Sequence, residues 1–291
     1  MTQQTKLLAS VAILSLCLCG QAQASSSDYV TPSYIMAESG QSDVGTKDES
    51  ISIDLNIFSG SRLILFGHRS QESDKTIPQS RTTSIGFSTD PSKKYSLELN
   101  RELSTQEQTL EILSNSATLN INLNNWEISV GADRREIQLT TSAEARRLRP
   151  NIMHIPIKAQ SKWISLGYYG WQTGSVSIYY RKHNYGLRLD QLITAPLWRQ
   201  RIFSQNSISA VWGLNKIQKG VSLNRYFDRG YFNFSWDEIT AEVGRADYSV
   251  HNTIRGGYDL TQHWSLEFAT GMSSSERETT MWNSVALAYR W

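Results

Sequence analysis

The chain has 291 residues, with 29 lysines and arginines against 27 aspartates and glutamates, a formal net charge of +2. A balance that even gives no electrostatic reason to expect a nucleic-acid partner. Its two cysteines, Cys17 and Cys19, fall in a segment expected to be removed, which excludes a thiol enzyme, a disulfide framework or a zinc ribbon from the mature chain; no cofactor and no metal is expected.

Lys6 stands ahead of an apolar run from Leu7 to Cys19, followed by Gln21-Ala22-Gln23-Ala24. A charged start, a short apolar middle and alanines at the −3 and −1 positions predict a secretory signal peptide over residues 1–24, cleaved after Ala24. The run is shorter than the roughly 20 residues of a membrane-spanning helix. Leu18 before Cys19 and Leu16 before Cys17 are poor matches to a lipidation site, which wants a small residue there.

From Ser25 onward the dominant signal has period two, as expected of strands with one apolar face. A weak first strand is expected from Tyr29 to Ala37, ending at the turn-rich Ser39-Gly40-Gln41-Ser42-Asp43. Ile51, Ile53, Leu55 and Ile57 then alternate with polar residues, and strands at 61–70 and 81–89 follow. Tyr95, Leu97 and Leu99 alternate with Ser96, Glu98 and Asn100; Leu119, Ile121 and Leu123 with Thr118, Asn120 and Asn122. Trp126, Ile128 and Val130 open a strand to 139, a strand at 160–169 follows, and Val176, Ile178 and Tyr180 mark the next. Further strands are expected at 206–214, 220–227, 229–236, 239–249 and 252–260, before Trp264 to Ser273 and the terminal strand. Tight turns at Ser59-Gly60, Asp90 to Lys93, Asn124-Asn125, Gly170 to Gly174 and Thr261 to His263 contrast with long polar segments at 71–80, 140–158, 186–204 and 274–280. Short turns at one end and long loops at the other fit an all-β, antiparallel transmembrane β-barrel spanning residues 25–291. An even count of about sixteen strands is expected, with fourteen the result if 206–227 folds inward as a loop and twelve the next even number. The mean hydropathy of −0.41 does not oppose this, because a barrel strand shows lipid only at every second residue.

The chain's last residues are the most specific feature. Val285, Leu287, Tyr289 and Trp291 alternate with Ala286, Ala288 and Arg290, and the tryptophan is terminal. This resembles the C-terminal assembly signal of Gram-negative outer-membrane β-barrel proteins, a porin-like class, without singling out one family within it. The resemblance implies an outer-membrane location, recognition of the last strand by the barrel-assembly machinery, and contact with outer-membrane lipid and lipopolysaccharide. The class does not fix an oligomeric state. The chain's 30 aromatic residues fit the same class, with Trp126, Trp163, Tyr168, Trp171, Trp236, Trp264, Tyr289 and Trp291 expected in interfacial girdles.

Read consistently, the alternation turns Asp54, Glu98, Glu102, Glu127, Asp133, Glu242, Asp259 and Glu267 towards the lumen, with Arg181, Arg255 and Arg290. Such charges line an aqueous path in a channel for small hydrophilic solutes, and their acidic excess favours small cations; the alternative is that they pair across strands in a closed or plugged barrel. Arg134, Arg135, Arg146, Arg147 and Arg149 form a second candidate, a loop that binds phosphate or carboxylate through its guanidinium groups. Inserted in the pore it opposes the wall charge; outside, it meets lipopolysaccharide phosphates. An enzyme, of the lipase or protease type found among outer-membrane barrels, needs a constellation, whereas His68, His154, His183, His251 and His263 are scattered with no serine motif beside them. A structural or adhesive barrel is the remaining reading, since fold alone does not fix function.

Overall fold

The computed structural model describes residues 31–58, 60–72, 79–106, 110–142, 152–171, 173–186, 215–241, 248–275 and 279–291. The expected signal peptide, the strand at 206–214, Glu242, Arg146, Arg147 and Arg149 lie outside the described residues.

Fourteen strands are formed: β1 Thr31–Ser42, β2 Lys47–Phe58, β3 Ser61–Gln71, β4 Ser80–Ser88, β5 Tyr95–Gln106, β6 Leu110–Leu123 and β7 Trp126–Ser142, then β8 Ile152–Trp171, β9 Gly174–Tyr185, β10 Asn215–Phe227, β11 Gly230–Ala241, β12 Tyr248–Asp259, β13 Trp264–Ser275 and β14 Thr279–Arg290. Each pairs antiparallel with its chain neighbours, and β1 pairs with β14, so the sheet closes on itself and leaves no edge.

The count is fourteen rather than sixteen for two reasons. β9 pairs directly with β10, with no strand between them in the sheet, and the strand expected at 206–214 lies outside the described residues. The three strands expected over 229–260 are two, because Asp237-Glu238 does not turn the chain but continues the alternation. Asp237 points inward, where its carboxylate accepts the Tyr179 hydroxyl at 2.7 Å, and Glu238 points outward to Lys219 at 2.8 Å. At the start, the turn-rich segment 39–42 belongs to β1, and the turn comes later at Gly45, whose φ of +85° requires the left-handed region.

The tight connections expected from sequence are all at one end of the barrel. Asn124 at φ +53° and Gly60 at φ +79° supply the backbone that such two-residue links need. In the β4–β5 turn, Asp90 accepts the Ser92 amide at 2.9 Å and hydroxyl at 2.7 Å, and those bonds hold its carboxyl below the usual range.

The two faces of the wall separate by parity. A cavity of about 770 Å³ touches Glu38, Ser50, Glu102, Arg135, Arg181 and Trp282, residues from strands all around the ring, so these mark the inner face. The opposite parity exposes Leu97, Leu99, Val130, Ile164, Leu166, Ile178, Leu223, Phe268 and Leu287 outward. In a soluble protein such a surface would be an aggregation hazard; wrapped around a closed barrel it is the face that lipid covers. At the short-turn end the outer face carries two aromatic groups. Trp126 and Tyr168 lie 4.8 Å apart with Trp171 edge-on beyond, and Tyr289 packs edge-on at 4.8 Å from both Trp264 and Trp291. Trp163 and Trp236 do not belong to a girdle: Trp163 pairs with inward Gly131 and faces the lumen, and Trp236 sits mid-strand between Val221 and Asn252.

Candidate functional site

The lumen wall is built first from its glycines. Four inward glycines each stand directly opposite an inward aromatic on the next strand: Gly131 and Trp163, Gly220 and Tyr179, Gly257 and Tyr231, Gly271 and Trp282. At each glycine, a methyl group would collide with the partner ring, so the rings lie along the wall over the missing side chain. These four rings thus line the interior without pointing across it. None of these pairs is evident without the register.

Two charged networks are laid over this wall. On β7 and β9, the Asp133 carboxylate receives Arg135 at 3.0 Å and a close contact from Arg181, and also accepts the Ser161 amide at 3.1 Å. Asp133 is 5% exposed, a degree of burial that an ionised carboxylate tolerates only with such partners. The Arg181 guanidinium also sits 4.6 Å over the Trp163 ring. Nearly opposite in the ring, Arg255 on β12 lies 3.5 Å from both Glu267 on β13 and Glu38 on β1. It reaches across two strands because the inward positions it passes are small, Ala269 and Ala286, both buried. The first network has two arginines to one carboxylate and the second the reverse, so the lumen is polarised from wall to wall.

Every described residue expected to line the lumen falls on the inner parity. Asp54 is bridged by Arg62 at 3.2 Å, and Asp259 by Arg290 at 3.6 Å. Glu98 accepts from Asn120 at 2.9 Å, Glu102 from Ser104 at 3.3 Å and Glu127 from Ser129 at 3.3 Å, so these three carboxylates on β5 and β7 have only neutral donors among the described residues. The sequence reading missed Glu38, Asp48, Asp237 and Arg62, and placed Arg135 with the loop arginines; all five are on the inner parity of their strands. Carboxylates still outnumber arginines.

Arg134 and Arg135 do not act together as expected. Adjacent residues of one strand face opposite sides, so Arg135 joins Asp133 in the lumen while Arg134 is exposed on the outer face. Three histidines line the inner wall near the long-loop end: His68 Nε2 lies 3.7 Å from Asp48, His183 lies 3.4 Å from Gln218, and His251 Nε2 lies 3.1 Å from the Ser249 hydroxyl. Asp237 stands across the ladder from His251, but its carboxylate is engaged by Tyr179. Among the described residues no group of His, Asp or Glu side chains is placed to hold a metal.

The cavity runs from Val44 and Thr46 at the β1–β2 turn, on the long-loop end, down to the level of Glu38, Glu102, Arg135 and Arg181. Towards the short-turn end several inward positions are small and hydroxylic, with Ser88, Ser96, Ser129, Ser175 and Ser265 all buried.

A closed antiparallel barrel with a lipid-facing exterior and a charged lumen is the architecture of Gram-negative outer-membrane β-barrel proteins, and solved members of that class share this fold. The CymD monoaromatic hydrocarbon channel matches with a TM-score of 0.53 and 8% identity, over 91% of this chain and 89% of that one. OmpT of Vibrio cholerae matches with a TM-score of 0.51 and 5% identity, over 92% and 100%. The KdgM porin matches with a TM-score of 0.45 and 10% identity, over 89% and 99%. At these identities the likeness is one of fold. No family model and no curated protein matches the chain.

Proposed function

We propose that the protein is an outer-membrane channel through which small hydrophilic solutes diffuse, exported by the signal peptide expected over residues 1–24. The observation that carries this reading is the lumen: polar and charged side chains around a cavity of about 770 Å³, with four wall rings, two of them tryptophans, held over glycines. A barrel of fourteen strands is wider than the eight-stranded barrels whose own side chains fill them. The short-turn end faces the periplasm in this orientation, and the long-loop end with its cavity faces outward. Glu98, Glu102 and Glu127, which have only neutral donors among the described residues, give the wall a preference for cations, and the opposed networks around Asp133 and Arg255 align polar solutes across it.

Conductance across a planar bilayer tests the proposal. Purified, heat-modifiable barrel is expected to show stepwise conductance; its absence at every voltage would exclude a channel. Lipase and protease assays on the same sample then separate the enzymatic reading, for which the Ser249 and His251 contact is the one to mutate, from a structural or adhesive barrel.

A further inference from the structure

The outer face is not apolar throughout. On β7, β8 and β9 the outward residues run from the aromatic cluster through Ile128, Val130, Leu166, Ile164, Ile178 and Tyr180, and then change abruptly to Arg134, Lys162 and Lys182. Lys162 and Lys182 are directly opposite each other in the β8–β9 ladder, and Arg134, paired with Gln160, is the diagonal neighbour of Lys162. All three are exposed, and none makes an ion pair among the described residues. The adjacent cross-strand row, that of Arg134, continues through Asn115 to Arg101, also exposed, on one side and through Gln160 to Asn184 on the other. The acid beside this row, Glu136, is registered against Lys158 instead.

Like charges directly opposite on a sheet repel, so a lysine pair with no acid in its row is unfavourable unless something else neutralises it. Height says what that is. Lys162 is nine residues along β8 from Trp171, and Arg134 eight along β7 from Trp126. At about 3.3 Å per residue and a tilt near 40°, those spacings place the cations about 20–23 Å above the aromatic cluster, against an apolar band about 25 Å tall. They therefore stand at the far edge of the hydrocarbon, at headgroup level.

We infer that Arg134, Lys162 and Lys182, extended by Arg101 and the amides of Asn115, Gln160 and Asn184, form a shelf on the outer wall that binds the phosphates of a phosphorylated glycolipid in the outer leaflet. The lysine pair and the guanidinium supply charge, the amides supply donors for sugar hydroxyls, and the apolar face below receives the acyl chains. This rests on the outer-membrane placement proposed above. It is a contact on the strand face, separate from the one expected of the arginines at 146–149, which lie outside the described residues.

The test uses the full-length barrel, folded in detergent and checked by heat-modifiability, and titrates it with bis-phosphorylated lipid A, with dephosphorylated lipid A and with inorganic phosphate, read by native mass spectrometry. Wild type is expected to retain bis-phosphorylated lipid A about tenfold more tightly than the dephosphorylated form. Lys162→Gln with Lys182→Gln should abolish that difference, whereas Lys162→Arg with Lys182→Arg should keep it. Lys182→Glu provides a second arm: it gives Lys162 an acid partner, and should raise the lipid-free unfolding temperature while losing lipid A. Equal retention by wild type and the double glutamine variant, or release of lipid A by millimolar inorganic phosphate alone, overturns the shelf as a glycolipid site. Fractionation of wild type is read separately, so failure of lipid binding in a barrel still found in the outer membrane leaves the placement standing.

Discussion

Trp163 lies flat against the lumen wall over Gly131, its direct partner across the β7–β8 ladder, and carries the Arg181 guanidinium 4.6 Å above its ring. The glycine sets the ring, the ring sets the arginine, and the arginine completes the pairing of Asp133. A methyl at position 131 meets the indole, so Gly131→Ala is expected to swing Trp163 into the lumen. The cost of overpacking is about 1–3 kcal/mol. Thermal unfolding should show the destabilisation, and single-channel conductance should fall because the ring then obstructs the path. Unchanged conductance would show that the ring does not border the route.

Removing the charge of Asp133 leaves Arg135 and Arg181 facing each other without their carboxylate. Asp133→Asn should destabilise the barrel by about 2 kcal/mol, less than the loss from a fully dry pair because the Arg181 side chain is 25% exposed towards the lumen. It should also shift ion selectivity towards anions, since one negative charge leaves a network that keeps both its arginines. Chemical denaturation and reversal potentials on the same variant read the two effects independently.

The closure of the barrel and its inner face were legible in the sequence, because strict alternation assigns every second residue to one side whatever the partner strand. That is why Asp54, Glu98, Glu127, Asp133, Arg181, Arg255 and Glu267 all fall inward. Alternation fails where polarity is the same on both faces. At Asp237-Glu238 two acids in succession look like a turn, although one is bonded inside and the other outside. What needs register was not legible at all. Trp163 reads as a girdle residue until Gly131 is found opposite it, and Lys162 and Lys182 are unremarkable lysines until the β8–β9 ladder sets them against each other. Arg134 and Arg135 were separable by parity alone; clustering by charge obscured it.

Tyr289 packs edge-on against both Trp264 and Trp291, tying the last residue of the chain to β13 at the short-turn end. Val285, Leu287 and Tyr289 continue the outward face of β14, which also closes the ring against β1. Trp291→Gln is therefore expected to slow assembly in cells, giving several-fold less heat-modifiable protein in the outer membrane. The same variant refolded in detergent should reach a barrel of nearly wild-type stability. A loss of stability in detergent as large as the loss in cells would assign the tryptophan to packing rather than to recognition by the assembly machinery.

Ion selectivity in a planar bilayer under a salt gradient bears most directly on the account of an open lumen lined by excess carboxylate. Glu98, Glu102 and Glu127 lack cationic partners among the described residues, so the reversal potential should have the sign of cation selectivity. Glu98→Gln with Glu127→Gln should reduce it, while Arg146→Gln, Arg147→Gln and Arg149→Gln together should leave it nearly unchanged. Strong anion selectivity that survives the triple arginine substitution, or no conductance at any voltage from a correctly folded barrel, would contradict it.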